Sequence, residues 1–146
     1  MARTTLTFAA IALALGSSLV QAEDKSDLKL IQGTWKVVVG DAADNEPIVG
    51  DLLTFSPDGR LTIQKERGGA SQKETGTFAI DPSKSPKTID LKPDKNSEGQ
   101  LIPGIYELTG DRLKICVAGR GKPRPTQFDS PGNDSIFLLA ELERQK

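Results

Sequence analysis

From Gly33 onward, apolar and polar residues alternate with a period of two, the pattern of strands that pack one face and wet the other. Trp35, Val37 and Val39 share one face of a first strand, with Lys36 on the other. The runs Leu52 to Ser56 and Arg60 to Lys65 flank Ser56-Pro57-Asp58-Gly59. Proline presets the first turn torsion there and glycine takes the left-handed one, so the pair reads as a β-hairpin. Gly68-Gly69 turns the chain into Glu74 to Ile80, and the Pro- and Ser-rich turn from Asp81 to Pro86 leads into Lys87 to Leu91. A polar connection from Lys92 to Pro103 precedes Gly104 to Leu108. Thr109-Gly110-Asp111 makes a second hairpin into Arg112 to Val117, where Leu113, Ile115 and Val117 alternate with Lys114 and Cys116. The last strand, Ser135 to Glu143, carries Ile136, Leu138, Ala140 and Leu142 on one face.

The spacing therefore predicts an all-β domain of about eight antiparallel strands, a sandwich or barrel, with up-and-down order the simplest connection. No helical segment is long enough to cross between parallel strands. The one helical signal precedes the sheet: Ser26 caps Asp27-Leu28-Lys29-Leu30-Ile31, with Leu28 and Ile31 on one face. The pattern lapses once, from Ala118 to Asp134, a connection holding Pro123, Pro125 and Pro131. Connections of this length are uncommon in compact domains, so it is either a lid or an extended segment pairing through Thr126 to Phe128.

The N-terminus follows a different rule. Met1-Ala2-Arg3 precedes an uncharged stretch from Thr4 to Ala22, with its apolar heart at Leu6 to Leu15 and small residues at Val20-Gln21-Ala22. That is the order of a cleavable signal peptide, expected to span residues 1–22, and the stretch is too short and too interrupted for a bilayer-spanning helix. Export to the periplasm or the extracellular space is the expectation, with residues 23–146 as the mature domain. The only cysteine, Cys116, lies far from the cleavage point, so it offers no lipid attachment there and no intramolecular disulfide.

Charge and composition then narrow the chemistry. Without residues 1–22 the chain keeps 18 basic and 20 acidic residues, a formal charge of −2, spread without blocks. Nucleic acid and anionic membrane are not expected partners, and no membrane span is expected after cleavage. Histidine is absent altogether, which removes the commonest metal ligand and the commonest acid–base group. No run has calcium-loop spacing or a phosphate-cradling turn, so no cofactor or metal is expected. Cys116 could act as a nucleophile only without a histidine partner; on a strand between Ile115 and Val117 it reads more simply as a packed thiol. The acid pairs Asp41 with Asp44 and Asp90 with Asp94 become catalytic candidates only if they converge in a cleft.

Gly33-Thr34-Trp35 sits just after the helical turn and opens the first strand. Glycine there would permit a close approach, and the single tryptophan would plug the narrow base of a barrel. Three further segments follow in order: Gly76-Thr77-Phe78 with Asp81 to Leu91; Gly104-Ile105-Tyr106-Glu107-Leu108 with Leu113 to Cys116; and Gly121-Lys122-Pro123-Arg124-Pro125-Thr126-Gln127-Phe128. Together with Leu30 to Val38 they resemble the successive signatures of an uncharacterised lipocalin-like, calycin-type domain family of planctomycete bacteria. The resemblance covers nearly the whole mature chain and implies an exported lipocalin-like barrel, without implying an activity. It also suggests that Arg144 packs over the tryptophan, as a late arginine does in animal lipocalins; the alternative is a frayed terminal charge.

The functional expectation is a monomeric, non-enzymatic protein whose barrel interior or mouth binds a small apolar molecule. The mature chain has only four Phe, one Tyr and one Trp, so the interior could instead be filled by aliphatic side chains. That possibility favours the alternative, a protein-interaction or protease-inhibitor-like module meeting an envelope protein through surface loops. Lys122 and Arg124, held extended between prolines, are then the contact candidates, against the plainer reading of a stiff loop. An isomerase-like barrel using acids is a third reading.

Overall fold

The computed structural model describes residues 27–95, 100–132 and 134–146. The expected leader and the Ser26 cap lie outside the described residues. A helical turn over 27–30 leads into eight strands: β1 (Gly33–Ala42), β2 (Leu52–Phe55), β3 (Arg60–Arg67), β4 (Ala70–Asp81), β5 (Thr88–Pro93), β6 (Ile102–Thr109), β7 (Arg112–Ala118) and β8 (Ile136–Arg144). Each pairs antiparallel with its sequence neighbour, and β8 returns to pair with β1, so the sheet closes in up-and-down order. The eight antiparallel strands are those the all-β pattern and turn spacing predict. Of the sandwich and the barrel that the spacing left open the chain forms the barrel, whose closure leaves no unpaired edge.

Period-two alternation fills the interior. Trp35, Phe55, Leu61, Phe78, Ile89, Tyr106, Leu113, Ile115 and Leu142 form one continuous core, with the Phe55 and Phe78 rings edge to face at 4.9 Å. Cys116 belongs to a second, smaller cluster with Ile105 and Ile136, packed against Phe128 and Leu139. The connection after β7 therefore folds back along the outer wall, laying Phe128 against this second cluster. It forms no strand among its described residues, so of the two alternatives the pairing through Thr126 to Phe128 does not occur.

Two bulges alter the predicted faces. The β1–β8 register slips between Val37 and Val39, and Val39 ends up exposed rather than beside Trp35 and Val37. The β7–β8 register slips between Val117 and Ala118, so Val117 faces Leu138 while Ala118 faces Ile136. Phe137 is the extra residue, and Ile136 moves to the outer cluster instead of joining Leu138, Ala140 and Leu142. One inserted residue reverses every side chain beyond it.

The G-x-W segment lies at one end of the barrel, beside the helical turn. Trp35 is fully buried, and its indole N–H donates to the Ile31 carbonyl at 2.8 Å, tying the helical turn across the floor. Arg144 lies over the indole, 4.2 Å from the ring centre, and is not a frayed end. Its guanidinium also donates to the carbonyls of Gln32, at 2.8 Å, and Leu30, and pairs with Asp111 at 3.1 Å. Gly33 has φ +115°, and a Cβ there would stand 3.2 Å from that guanidinium. The close approach that glycine permits is thus to Arg144. Asp27 completes the floor, accepting hydrogen bonds from the Tyr106 hydroxyl at 2.7 Å and the Lys87 ammonium at 2.9 Å.

Trp35→Ala is expected to cost about 3–5 kcal/mol, the range for deleting a large buried aromatic. Chemical denaturation reads this directly, and a midpoint close to that of the parent would contradict the plug.

Candidate functional site

At the end of the barrel away from Trp35, the interior is not filled. A cavity of about 190 Å³ lies there. Its lining comes from the ends of strands: Ala42 on β1, Lys65 on β3, Glu74 on β4, Pro93 on β5, Ile102 on β6 and Phe137 on β8. Deeper in, it is bounded by core side chains such as Val37, Phe55, Leu61 and Leu142. The β1–β2 connection reaches over this end and inserts Ile48, which is buried and also borders the cavity. Gly40 makes room for it, since a Cβ at Gly40 would stand 2.6 Å from the Ile48 Cδ1 atom.

The two sides of the cavity differ. Leu91, Ile102, Val117 and Leu138, from β5 to β8, give an apolar wall. Facing it are Glu46, Asp51, Lys65 and Glu74, from β3, β4 and the β1–β2 connection. Lys65 lies 3.6 Å from Glu46 and 3.3 Å from Glu74. Arg67 stands behind, gripping the buried Asp51 carboxylate with two bonds of 2.7 and 2.9 Å and reaching Glu46 at 3.4 Å. These ion pairs also hold the β1–β2 connection against β3. Each acid on the lining thus already has a cation beside it, which leaves no unpaired carboxylate couple for acid–base work.

This ionic wall was detectable as a break in periodicity. Leu61 and Ile63 face the core, and the same alternation continues into Lys65 and Arg67; Phe78 and Gly76 lead likewise to Glu74, and Phe55 and Leu53 to Asp51. Strands β3 and β4, and the residue just before β2, carry charge where the alternation points inward near one end of the barrel.

The predicted contact residues lie elsewhere. Neither Lys122 nor Arg124 lines the cavity. Lys122 is exposed, whereas Arg124 is drawn onto the β5–β6 wall. Its guanidinium donates to the Ile89 carbonyl at 3.1 Å, the Gly104 carbonyl at 2.8 Å and the Asp90 carboxylate at 2.6 Å. None of the other named acids lines the cavity: Asp41 and Asp44 lie outside it, Asp90 serves Arg124, and Asp94 pairs with Arg60 and accepts from the Thr75 hydroxyl at 2.7 Å. Among the described residues, no cluster of three or more side chains could hold a metal ion, and no helix is long and apolar enough to cross a membrane. Comparison of the sequence with protein-family models and with curated proteins gives no match.

Two measurements check this layout. Burial pushes the Cys116 thiol above its ordinary pKa, and the thiol is fully covered, donating weakly to the Asp129 carbonyl. A thiol reagent is expected to label the native protein slowly and the denatured protein promptly. Rapid native labelling would mean that the connection over Cys116 does not lie as described.

Asp94 is held below the usual carboxylate range by its bond to Arg60 and then by Thr75. Because the folded pKa is lowered, its stabilisation is complete above the unfolded value of about 3.9 and is lost as pH falls through the folded value. Asp94→Asn is therefore expected to lower Tm near neutral pH and to lose less Tm than the parent between about pH 5 and pH 3. Parallel acid curves for the two proteins would contradict the assignment.

Proposed function

We propose that this chain is an exported, non-enzymatic binding protein that takes a small apolar molecule into its barrel. The observation that carries the reading is the cavity of about 190 Å³ at one end of a closed barrel, walled on one side by the apolar side chains of Leu91, Ile102, Val117 and Leu138. It exceeds the roughly 150 Å³ that suffices for a benzene-sized guest, and lies below the roughly 300 Å³ at which drug-sized sites begin, so the ligand is slim. The leader pattern supports export, and the closed barrel gives the cavity an enclosed wall. The surface-loop alternative has Lys122 exposed, whereas Arg124 already makes three hydrogen bonds to the barrel wall, which weakens that reading.

A neutral fluorophore such as N-phenyl-1-naphthylamine is expected to bind at a single saturable site, with affinity nearly independent of salt, because apolar burial is not screened. Leu138→Trp, which fills the cavity from the mouth, should weaken binding at least about tenfold, or about 1.4 kcal/mol, with Tm little changed. Unaltered uptake by this variant, at wild-type Tm, would place the probe outside the barrel.

A further inference from the structure

The cavity's second wall narrows the class of ligand, an inference that rests on the binding role proposed above. Glu46, Asp51 and Glu74 border the cavity, and the cations that answer them are Lys65 and Arg67, so this wall carries one more negative than positive charge. Lys92 also borders the cavity, but it is exposed and alternates along β5 with the inward Leu91, which puts its ammonium on the outer face. We infer that the ligand is a slim amphiphile with a cationic or hydroxyl head and an apolar tail, and not a carboxylate such as a fatty acid. Its tail lies against Leu91, Ile102, Val117 and Leu138, and its head meets Glu46 and Glu74.

The reasoning turns on Lys65. Its ammonium sits 3.6 Å from Glu46 and 3.3 Å from Glu74 and is only 19% exposed. A carboxylate head entering from the mouth would be a third anion around one ammonium, repelled by Glu46 and by the half-exposed Glu74 through a partly screened field. An ammonium head would be a third cation beside Lys65 and Arg67, balancing Glu46, Asp51 and Glu74. A hydroxyl head can donate to either carboxylate without adding charge. The expected order of affinity for one tail length is therefore amine, then alcohol, then acid.

Octylamine, octanol and octanoate, competed at low salt against the neutral fluorophore on the mature protein, test this order. Octylamine is expected to displace the probe at a concentration at least about tenfold lower than octanoate, with the gap narrowing as salt is added. Since the mature chain is itself negative, Glu74→Gln and Glu46→Gln separate the wall from the general field. Either substitution should shrink the amine-to-acid ratio severalfold, with uptake of the neutral fluorophore reporting that the apolar wall is kept. An acid that binds as tightly as the amine, or a ratio that neither substitution moves, overturns the inference while leaving apolar binding in place. Failure of all three compounds and of the fluorophore removes the binding role itself, and the inference with it.

Discussion

Closing the sheet on itself is the constraint on which everything else in this molecule depends. A closed barrel has no edge, but it needs its last strand to find its first, and here the pairing is fastened by one side chain. Arg144, at the end of β8, lies over Trp35, at the start of β1, and also donates to the carbonyls of the segment leading into β1. The stacking contact alone is worth about 0.5–2 kcal/mol, depending on how far it is desolvated. With one cysteine there is no disulfide to share this task. The floor is rigid because Trp35 is held on both sides, by Arg144 and by the Ile31 carbonyl.

Much of this was legible in the chain. Turn residues such as Ser56-Pro57-Asp58-Gly59 and Thr109-Gly110-Asp111 punctuate strands whose alternation announces their inward faces, and those strands form close to where they were expected. The bulges were not legible. An extra residue at Val38 or Phe137 leaves the composition of a strand untouched, and only the partner strand's register reveals which side chains have changed sides. Arg124 was hidden for a similar reason. Two flanking prolines say that the segment is extended, but not that the guanidinium will meet carbonyls on β5 and β6, strands far away along the chain.

The connection from β7 to β8 shows what that long-range contact achieves. Phe128 covers Ile105, Cys116 and Ile136 on the outer wall, while Arg124 fastens its near end over Asp90. A barrel of this size would otherwise expose those apolar side chains to water. The connection is therefore a strap down the wall, and it leaves the mouth to the shorter β1–β2 connection, where Ile48 sits.

The contrast between the two ends of the barrel bears on the proposed ligand. At the floor, charge is admitted only with tight partners, as at Asp27 with Tyr106 and Lys87. Near the mouth, three acids and two bases crowd one wall, and the Arg67 Nε–H is buried with no hydrogen-bond partner. Apart from the buried Asp51 the cluster is partly open to solvent, with Glu74 half exposed, and ion pairs in such places add little stability. Aliphatic side chains at inward positions 65 and 74 would continue the packed faces of β3 and β4 and fill the space. A barrel selected for stability alone would be expected to take that course. Charges retained where the cavity opens are instead what selective recognition of a polar head requires, because discrimination between heads depends on buried groups that the wrong head leaves unpaired or repelled.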